Sequence, residues 1–314
     1  MADSQYILEV NNLCQHFSSG RGKKKLTVKA VDDVTFGVRP AETFGLVGES
    51  GCGKTTTGRT IIRLYDPTGG EVLFNGRDIA GKMNSDLRKY LTDNIAMIFQ
   101  DPIESLNPKM TIEEIIGEGL TVRGMKDKAE IRKLVVEMLR KVGLVEEHAT
   151  RYPHEFSGGQ RQRIGIARAI IVKPKLIIAD EPVSALDVSI QAQVINLLND
   201  LKEEMGLTIL FIAHNLSVVK YFSDRIGVMY FGHLVEVANG EDLYKNPLHP
   251  YTQSLLSAIP LPDPEYEKSR QRITYDPLKS HDYSTDKPTL REVSPGHFVY
   301  CNQAEFENYQ TLLK

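Results

Sequence analysis

The spacing of apolar and polar positions differs between the first hundred residues and the rest of the chain. In the first part, β-branched and aromatic residues alternate in part with polar ones, or form short apolar runs between turn residues. Both patterns are typical of strands. The strands predicted there cover residues 6–10, 26–38, 44–47, 71–74 and 95–99.

Helices and strands are predicted in alternation beyond residue 110. Apolar residues recur at helical spacing over 111–142. Ser157 is the expected N-cap of a further helix, which runs to about residue 172 and ends before Pro174. The elements expected after it are a strand at 176–179, an amphipathic helix at 188–205 and a strand at 207–213. Strands that alternate with helices predict a parallel sheet covered on both faces.

The character of the chain changes after residue 260. Pro260, Pro262 and Pro264 lie close together, and the residues that follow are mostly polar without clear periodicity. We expect residues 260–314 to form an appendage that wraps around or extends from the main domain.

Composition narrows the possible classes of protein. With 314 residues and 41% hydrophobic residues, the chain can bury a large core, as one domain with an appendage or as two domains. The net charge of −3 argues against a general nucleic-acid binder, and the run of lysines at 23–25 is more typical of a solvated loop tip. We expect no secretory leader and no membrane span, and the three widely spaced cysteines suit a reducing cytosol.

Residues 48–55 match the phosphate-binding pattern G-x-x-x-x-G-K-[ST] between a predicted strand and a predicted helix at 56–64. A glycine-rich turn with a chance Lys-Thr pair is the alternative, and the flanking elements disfavour it. In the expected loop, backbone N–H groups cradle a polyphosphate, Lys54 reaches its β- and γ-phosphates, and Thr55 offers a hydroxyl to Mg²⁺. The nucleotide-binding residues predicted from this loop are Gly48, Glu49, Ser50, Gly51, Cys52, Gly53, Lys54, Thr55 and Thr56.

The apolar strand at 176–179 leads into two carboxylates, Asp180 and Glu181. In a phosphate-loop fold, an aspartate at this strand end lies close to Mg²⁺. The glutamate beside it is placed to activate a water for attack on the γ-phosphate. The alternative is a solvated turn, which the upstream phosphate loop makes less plausible.

A second glycine-rich segment begins the helix predicted at Ser157. Gly158 and Gly159 weaken the first helical turn, so something is expected to approach the backbone closely there. The bare N–H groups of a helix N-terminus and a serine hydroxyl suit an anion. A second anion site in a chain that already has a phosphate loop suggests a dimer, and the alternative is an ordinary capped helix.

Together these motifs resemble those of an ATP-binding cassette (ABC) subunit of a membrane transporter, over residues 6–259 approximately and in the family order. The segment from Phe156 to Gln160 resembles the family signature LSGGQ, with phenylalanine in place of leucine. Residues 184–187 resemble the loop that contacts the second cassette of the dimer. The implied fold is α/β, with a RecA-like parallel-sheet core, an N-terminal antiparallel β-subdomain and a helical subdomain inserted at about 101–173.

The resemblance implies roles for residues that periodicity alone does not single out. Gln100 is similar to the glutamine that contacts Mg²⁺ and senses the membrane partner, and His214 to the histidine that contacts the γ-phosphate. Asn215 replaces the usual aspartate after that histidine, with a small expected effect. Phe17 resembles the aromatic residue that stacks on adenine, although a role in the core is the alternative. The implied Mg²⁺ ligands are Thr55, Gln100 and Asp180, the implied catalytic groups are Glu181, His214, Gln100 and Lys54, and the segment Ser157, Gly158, Gly159 and Gln160 is implied to contact ATP across a dimer.

The segment from 246 to 264 resembles the C-terminal extension of oligopeptide and dipeptide permease ATPases, and the likeness is greatest to the second (F-type) subunit of a bacterial oligopeptide importer. This implies an ABC domain at 1–259 and an extension at 260–314. The implied partners are a second ATPase subunit, expected to be a different chain, two membrane-spanning permease subunits and an extracytoplasmic peptide-binding protein, with no nucleic acid. The implied location is the cytoplasmic face of the cell membrane. Some relatives hold an iron–sulfur centre on a cysteine cluster in this tail, but Cys301 stands alone here, so none is expected.

Other function classes stay open at this point. An importer of dipeptides or nickel is the nearest alternative to an oligopeptide importer. A non-transport cassette ATPase usually carries two cassettes or a long insertion, whereas this chain has a single cassette and a transporter-type tail. A partner that binds ATP without hydrolysing it would lack an acid at position 181 or an intact signature, and both are present.

Overall fold

The structure is a computed structural model that describes residues 5–20, 26–259 and 272–313. The predicted loop tip at 23–25 and the prolines at 260, 262 and 264 lie outside the described residues. Within the described residues, no helix combines the length and the hydropathy that crossing a bilayer requires.

The strands, in chain order, are β1 (Leu8–Ser19), β2 (Leu26–Val38), β3 (Thr43–Val47), β4 (Gly69–Phe74), β5 (Arg77–Asp78), β6 (Ile95–Ile98), β7 (Leu176–Asp180), β8 (Thr208–Ala213), β9 (Arg225–Tyr230), β10 (His233–Asn239), β11 (Thr289–Ser294) and β12 (His297–Cys301). The α-helices are α1 (Lys54–Ile61), α2 (Ser85–Asn94), α3 (Pro102–Ser105), α4 (Ile112–Val122), α5 (Lys128–Lys141), α6 (Gly158–Ile170), α7 (Val188–Met205), α8 (Leu216–Val219), α9 (Gly240–Lys245), α10 (Pro250–Ser257), α11 (Pro277–Ser280) and α12 (Gln303–Leu312). Two short 3-10 helices cover Glu146–Thr150 and Pro153–Glu155.

The chain divides into two compact units. The first unit contains the described residues up to 38, residues 43–80, and the described residues from 213 onward. It holds an antiparallel sheet in the order β2-β1-β4-β5 and a second group of paired strands in the order β11-β12-β10-β9-β3. In the second group, β3 runs parallel to β9 and the other pairs are antiparallel.

The second unit contains residues 39–42 and 81–212. Its strands β8, β7 and β6 are neighbours in a parallel arrangement. All residues of β7 and β8 are buried, as expected for parallel strands covered on both faces. Helices α3 to α6 lie between β6 and β7 in the chain, which places helical structure where the inserted subdomain was expected.

Most predicted elements are present, with differences at their ends. The helix at 188–205 has the predicted bounds. The helical segment at 111–142 is two helices, because Gly124 has a left-handed φ of 95° and Asp127 caps a new helix start. The helix after the phosphate loop covers Lys54–Ile61 rather than 56–64, since Arg63 has a φ of 64° that stops the helix.

Several elements were not predicted. Strands β9 and β10 were missed, and so were β11, β12 and α12, which lie after residue 260. β12 pairs with β10, and the end of the chain has a small core of its own. The members of this core are Leu248, Val293, Val299, Cys301 and Tyr309. The tail is therefore partly a regular extension of the first unit's strands, held by apolar contacts that short polar-rich segments do not reveal.

Candidate functional site

The phosphate loop connects β3 to α1, as predicted. β3 is buried along its whole length, so the loop starts from a fixed point. Gly53 has a φ of 109°, and a Cβ there would lie 2.2 Å from the carbonyl oxygen of Ala30, so the turn requires glycine. A Cβ on Gly51 would meet no atom within 4 Å. The loop is thus packed against β2 at Gly53 and open at Gly51, where a phosphate group could approach.

Lys54 lies inside this loop and is 4% exposed. Its Nζ donates hydrogen bonds to the carbonyl oxygens of Gly48, at 2.8 Å, and Glu49, at 2.9 Å. The ammonium group therefore supplies a positive charge at the centre of the loop. Burial raises the pKa of the neighbouring Cys52 thiol although the charge of Lys54 opposes this, so the thiol stays neutral and fills space.

A residue from far along the chain supports the loop from outside. The backbone N–H of Glu49 donates a hydrogen bond to the hydroxyl oxygen of Tyr251, at 3.1 Å. Tyr251 is buried and belongs to α10, and its ring lies 4.4 Å from that of Tyr230 between centroids. Sequence reasoning did not assign this residue a role, because nothing local relates positions 202 residues apart.

Tyr251 is itself held by a buried polar group of the first unit. Glu236 is fully buried and accepts hydrogen bonds from the backbone N–H groups of Leu248 and His249 and from Nε2 of His297. The Nδ1 atom of His249 accepts the N–H of Tyr251 at 3.1 Å and so caps α10. His249 and His297 thus have hydrogen-bonding roles in positioning α10.

The predicted carboxylates lie at the end of β7 in the second unit. Asp180 is fully buried. Glu181 has a left-handed φ of 44°, a strained backbone conformation for a residue with a side chain. Its carboxylate accepts a hydrogen bond from Nε2 of Gln100 at 3.0 Å, so two residues predicted to act together are in contact. The backbone N–H of Glu181 donates to the carbonyl of Ile212, which fixes the strained turn against β8.

The signature segment begins α6 with a reciprocal cap. The hydroxyl of Ser157 accepts the N–H of Gln160, and the Gln160 side chain accepts the N–H of Ser157. A Cβ on Gly159 would lie 2.6 Å from the side chain of Ile190. The close neighbour expected at Gly159 is therefore Ile190, in the first turn of α7. Gly158, where a Cβ would be 3.6 Å from Leu186, is exposed.

The other predicted residues are exposed or partly exposed. His214 is exposed and directly follows β8, and Asn215 caps α8 by accepting the N–H of Ser217. Phe17 is 39% exposed near the end of β1, with an edge contact to the ring of Tyr65 at 5.3 Å. The loop at 184–187 is held by Gln191, which donates to the carbonyl oxygens of Val183 and Leu186.

Comparison with known families gives two matches. Residues 31–184 match the model of the ABC transporter family, which includes the phosphate loop, Gln100, the signature and the two carboxylates. Residues 235–285 match the model of the oligopeptide/dipeptide transporter C-terminal region, which includes Glu236, His249 and Tyr251.

Similar proteins are alike over almost their whole length. The oligopeptide transport ATP-binding protein OppF of Bacillus subtilis is 60% identical over 98% of this chain and 99% of its own. The dipeptide transport ATP-binding protein DppF of Lactococcus lactis is 54% identical over 99% of this chain and 98% of its own. The oligopeptide transport ATP-binding protein AmiF of Streptococcus pneumoniae is 54% identical over 98% of each chain.

Solved structures agree with this assignment. The ABC cassette MJ0796, in a dimeric post-hydrolysis state bound to ADP and Pi, matches with a TM-score of 0.67 and 30% identity over 74% of this chain and 98% of its own. CbiO1 of Clostridium perfringens, part of the ABC transporter complex cbiONQ, matches with a TM-score of 0.68 and 26% identity over 77% of this chain and 92% of its own. The chain belongs to the ABC transporter family, among the ATP-binding subunits of the oligopeptide and dipeptide type.

Proposed function

We propose that this chain is the ATP-hydrolysing motor subunit of a membrane importer for oligopeptides. The observation that carries the proposal is the phosphate loop, which is built around the buried Lys54 and is open at Gly51. The Tyr251 contact supports the same assignment, because it joins this loop to the segment that matches the oligopeptide/dipeptide transporter C-terminal region.

In the first unit, the loop and the start of α1 fit a nucleotide. Backbone N–H groups from Gly51 to Thr55 and the charge of Lys54 suit the β- and γ-phosphates. Phe17 is exposed enough to stack on adenine, and His214 is exposed to contact the γ-phosphate. We assign these residues, with Glu49, Ser50 and Thr56, to ATP binding.

In the second unit, Glu181 is the proposed general base that takes a proton from the attacking water. The Gln100 amide orients its carboxylate through the 3.0 Å hydrogen bond. Gln100 and Asp180 are the Mg²⁺ ligands that we propose from this unit, and Thr55 is the one that we propose from the first unit. Each offers oxygen, which suits a hard cation. The ion, when bound, would neutralise charge on the β- and γ-phosphates.

A second cassette is part of this proposal. The helix start from Ser157 to Gln160, which is exposed at Ser157 and Gly158, would contact ATP held by a partner ATPase subunit. We propose that the partner is a different chain and that its signature segment would contact ATP bound to this chain. Closure of the two cassettes would move two membrane-spanning permease subunits, which receive peptide from an extracytoplasmic binding protein. The chain would work at the cytoplasmic face of the membrane, with the ABC domain at 1–259 and the extension at 260–314.

The test uses the assembled transporter in vesicles. Glu181→Gln should retain ATP binding and lower ATP hydrolysis by about 100-fold or more, because an amide cannot accept the proton of water. Uptake of labelled oligopeptide should fall in parallel, while Glu137→Gln on the exposed face of α5 should change neither rate. A hydrolysis rate within twofold of wild type would exclude Glu181 as the base. Normal ATPase activity of the wild-type transporter without uptake of any oligopeptide would overturn the assignment of oligopeptides as the substrate. A preference for dipeptides in competition would favour the dipeptide alternative.

A further inference from the structure

Three side chains of different chemistry converge on one face of the first unit's antiparallel sheet. They are Cys14 and His16 on β1 and Asp32 on β2, and their nearest ligand atoms all lie within 4.8 Å of one another. Nε2 of His16 is 3.0 Å from Oδ1 of Asp32, and Sγ of Cys14 is 3.9 Å from the same oxygen. None of the three is among the residues proposed to bind ATP or Mg²⁺ or to take part in hydrolysis.

A bulge in the strand pairing produces this arrangement. Cys14 and His16 are two residues apart and therefore point to the same side of β1. The register shifts between β1 and β2 on either side of Gln15, which leaves Asp32 and Asp33 as extra residues opposite Cys14. The left-handed φ of 61° at Asp33 marks the bulge and turns Asp32 toward the two β1 side chains.

We propose that Cys14, His16 and Asp32 form a binding site for Zn²⁺ or a similar borderline divalent cation. Ligand atoms on a tetrahedral zinc lie about 3.3 to 3.8 Å apart, given bonds of about 2.0 to 2.3 Å. The two separations from Oδ1 of Asp32, 3.0 Å to His16 and 3.9 Å to Cys14, bracket this range, and the ligand atoms of Cys14 and His16 lie within 4.8 Å of each other. Side-chain rotations would bring the three atoms to these distances. A thiolate, an imidazole and a carboxylate are a donor set suited to zinc rather than to Mg²⁺.

A backbone group beside Cys14 supports the ligand chemistry. The backbone N–H of Asp33 lies 3.4 Å from Sγ of Cys14, where it can donate to a thiolate. Binding breaks the Cys14 S–H bond, forms the metal–sulfur bond and releases the proton to solvent.

Two neighbours shape the site further. His233 lies beside it, with Nε2 3.8 Å from Oδ2 of Asp32, as the candidate fourth ligand. Lys29 donates to that oxygen at 3.0 Å and is itself 60% exposed at its side chain. Because a lysine ammonium and a metal ion repel each other, Lys29 weakens the site and must swing into solvent when the ion binds.

The site is connected to the phosphate loop through the backbone. The N–H of Asp32 donates to the carbonyl of Gly232, and the N–H of Gly232 donates to the carbonyl of Cys52, both at 2.9 Å. A metal ion that fixes Asp32 therefore restrains the back of the phosphate loop two hydrogen bonds away. This gives the proposed ion a stabilising role that is separate from the Mg²⁺ that accompanies ATP.

The experiment uses the full chain without an affinity tag, freed of metal by a chelator and kept free of nucleotide and Mg²⁺. Titration with Co²⁺ should give roughly one bound ion per chain and an ultraviolet sulfur-to-metal charge-transfer band, and Zn²⁺ should displace it. Cys14→Ser should abolish the band, and His16→Ala should weaken Zn²⁺ binding by about tenfold or more. Cys301→Ala is the matched cysteine control and should keep the band.

Lys29→Ala separates a metal site from a purely structural cluster. Removal of the competing charge should tighten Zn²⁺ binding by about threefold or more, whereas an ordinary ion-pair cluster predicts no metal binding in either protein. Zn²⁺ should also raise the melting temperature of the wild type and leave that of Cys14→Ser unchanged. A missing charge-transfer band in the wild type, or a band that persists in Cys14→Ser, would overturn the proposal.

Discussion

The amide of Gln100 donates a hydrogen bond to the carboxylate of Glu181 at 3.0 Å. The two residues lie 81 positions apart in the chain, at the ends of the neighbouring strands β6 and β7. Since Glu181 also has a strained left-handed backbone, its side chain is set in position by both the turn and the amide. We therefore propose that Gln100 acts on hydrolysis at least in part through Glu181.

We expect Gln100→Leu to lower the kcat for ATP hydrolysis by about tenfold, because the Glu181 carboxylate loses its orienting donor and the proposed Mg²⁺ site loses an oxygen ligand. The affinity for ATP measured without Mg²⁺ should change little. Steady-state ATPase assays of the assembled transporter and binding of a fluorescent ATP analogue measure the two quantities. Gln193→Leu on the exposed face of α7 is the control. An unchanged kcat would show that the hydrogen bond has no part in positioning Glu181.

Tyr251→Phe tests the contact between α10 and the phosphate loop. The substitution removes the hydroxyl that accepts the N–H of Glu49 and keeps the buried ring. Loss of one such hydrogen bond costs about 0.5 to 1.5 kcal/mol, so ATP affinity should fall about twofold to tenfold while kcat stays close to wild type.

Calorimetric titration with a non-hydrolysable ATP analogue measures this change. Tyr221→Phe is the matched control, since Tyr221 is 79% exposed. Equal affinities for Tyr251→Phe and the wild type would mean that the loop does not depend on α10.

Gly53→Ala and Gly51→Ala separate the two sides of the phosphate loop. A methyl group on Gly53 would collide with the carbonyl of Ala30, so this variant should lose stability by about 1 to 3 kcal/mol as well as ATP binding. A methyl group on Gly51 points into open space, so Gly51→Ala should lose ATP affinity with a smaller loss of stability. Urea denaturation and nucleotide titration measure both effects. The reverse order of stabilities would contradict the described packing of the loop.

The sequence predicted the elements whose pattern is local. The apolar strand before the phosphate loop, the strand before Asp180 and the amphipathic helix at 188–205 each have a pattern that can be recognised within about twenty residues. The family resemblance then implied that Gln100 and Glu181 take part in one reaction, and the structure brings the two side chains into contact.

Contacts between distant segments could not be predicted in this way. The hydrogen bond between the Tyr251 hydroxyl and the N–H of Glu49 in the phosphate loop depends on how β10 and α10 pack. No local sequence pattern encodes that packing. The cysteine spacing likewise gave no sign of the cluster at Cys14, because its third member reaches the site through a bulge in a different strand. Gly159 was predicted to leave room for a close neighbour, but the neighbour in this chain is Ile190.

The stability of the first unit should depend on pH through His249. This residue is 1% exposed, its Nδ1 accepts the N–H of Tyr251, and its charged or titratable neighbours are Glu236, His281 and Tyr275. Burial, with a smaller contribution from the charge of His281, lowers its pKa to about 3 from 6.5. The unfolded chain therefore binds a proton that the folded chain excludes, so stability is full above pH of about 6.5 and is lost as pH falls toward 3.

His249→Asn should remove this part of the pH dependence, because asparagine can still cap α10 but does not titrate. Between pH 7.5 and 5.0, a single excluded proton costs about 2 kcal/mol. On going from pH 7.5 to pH 5.0, the free energy of unfolding should therefore fall by about 2 kcal/mol less in the variant than in the wild type. This holds even if the variant is less stable than the wild type at both pH values. Urea denaturation at the two pH values measures the difference, and His154→Asn in the second unit is the control. Parallel pH profiles for the wild type and His249→Asn would show that His249 is already protonated in the folded chain.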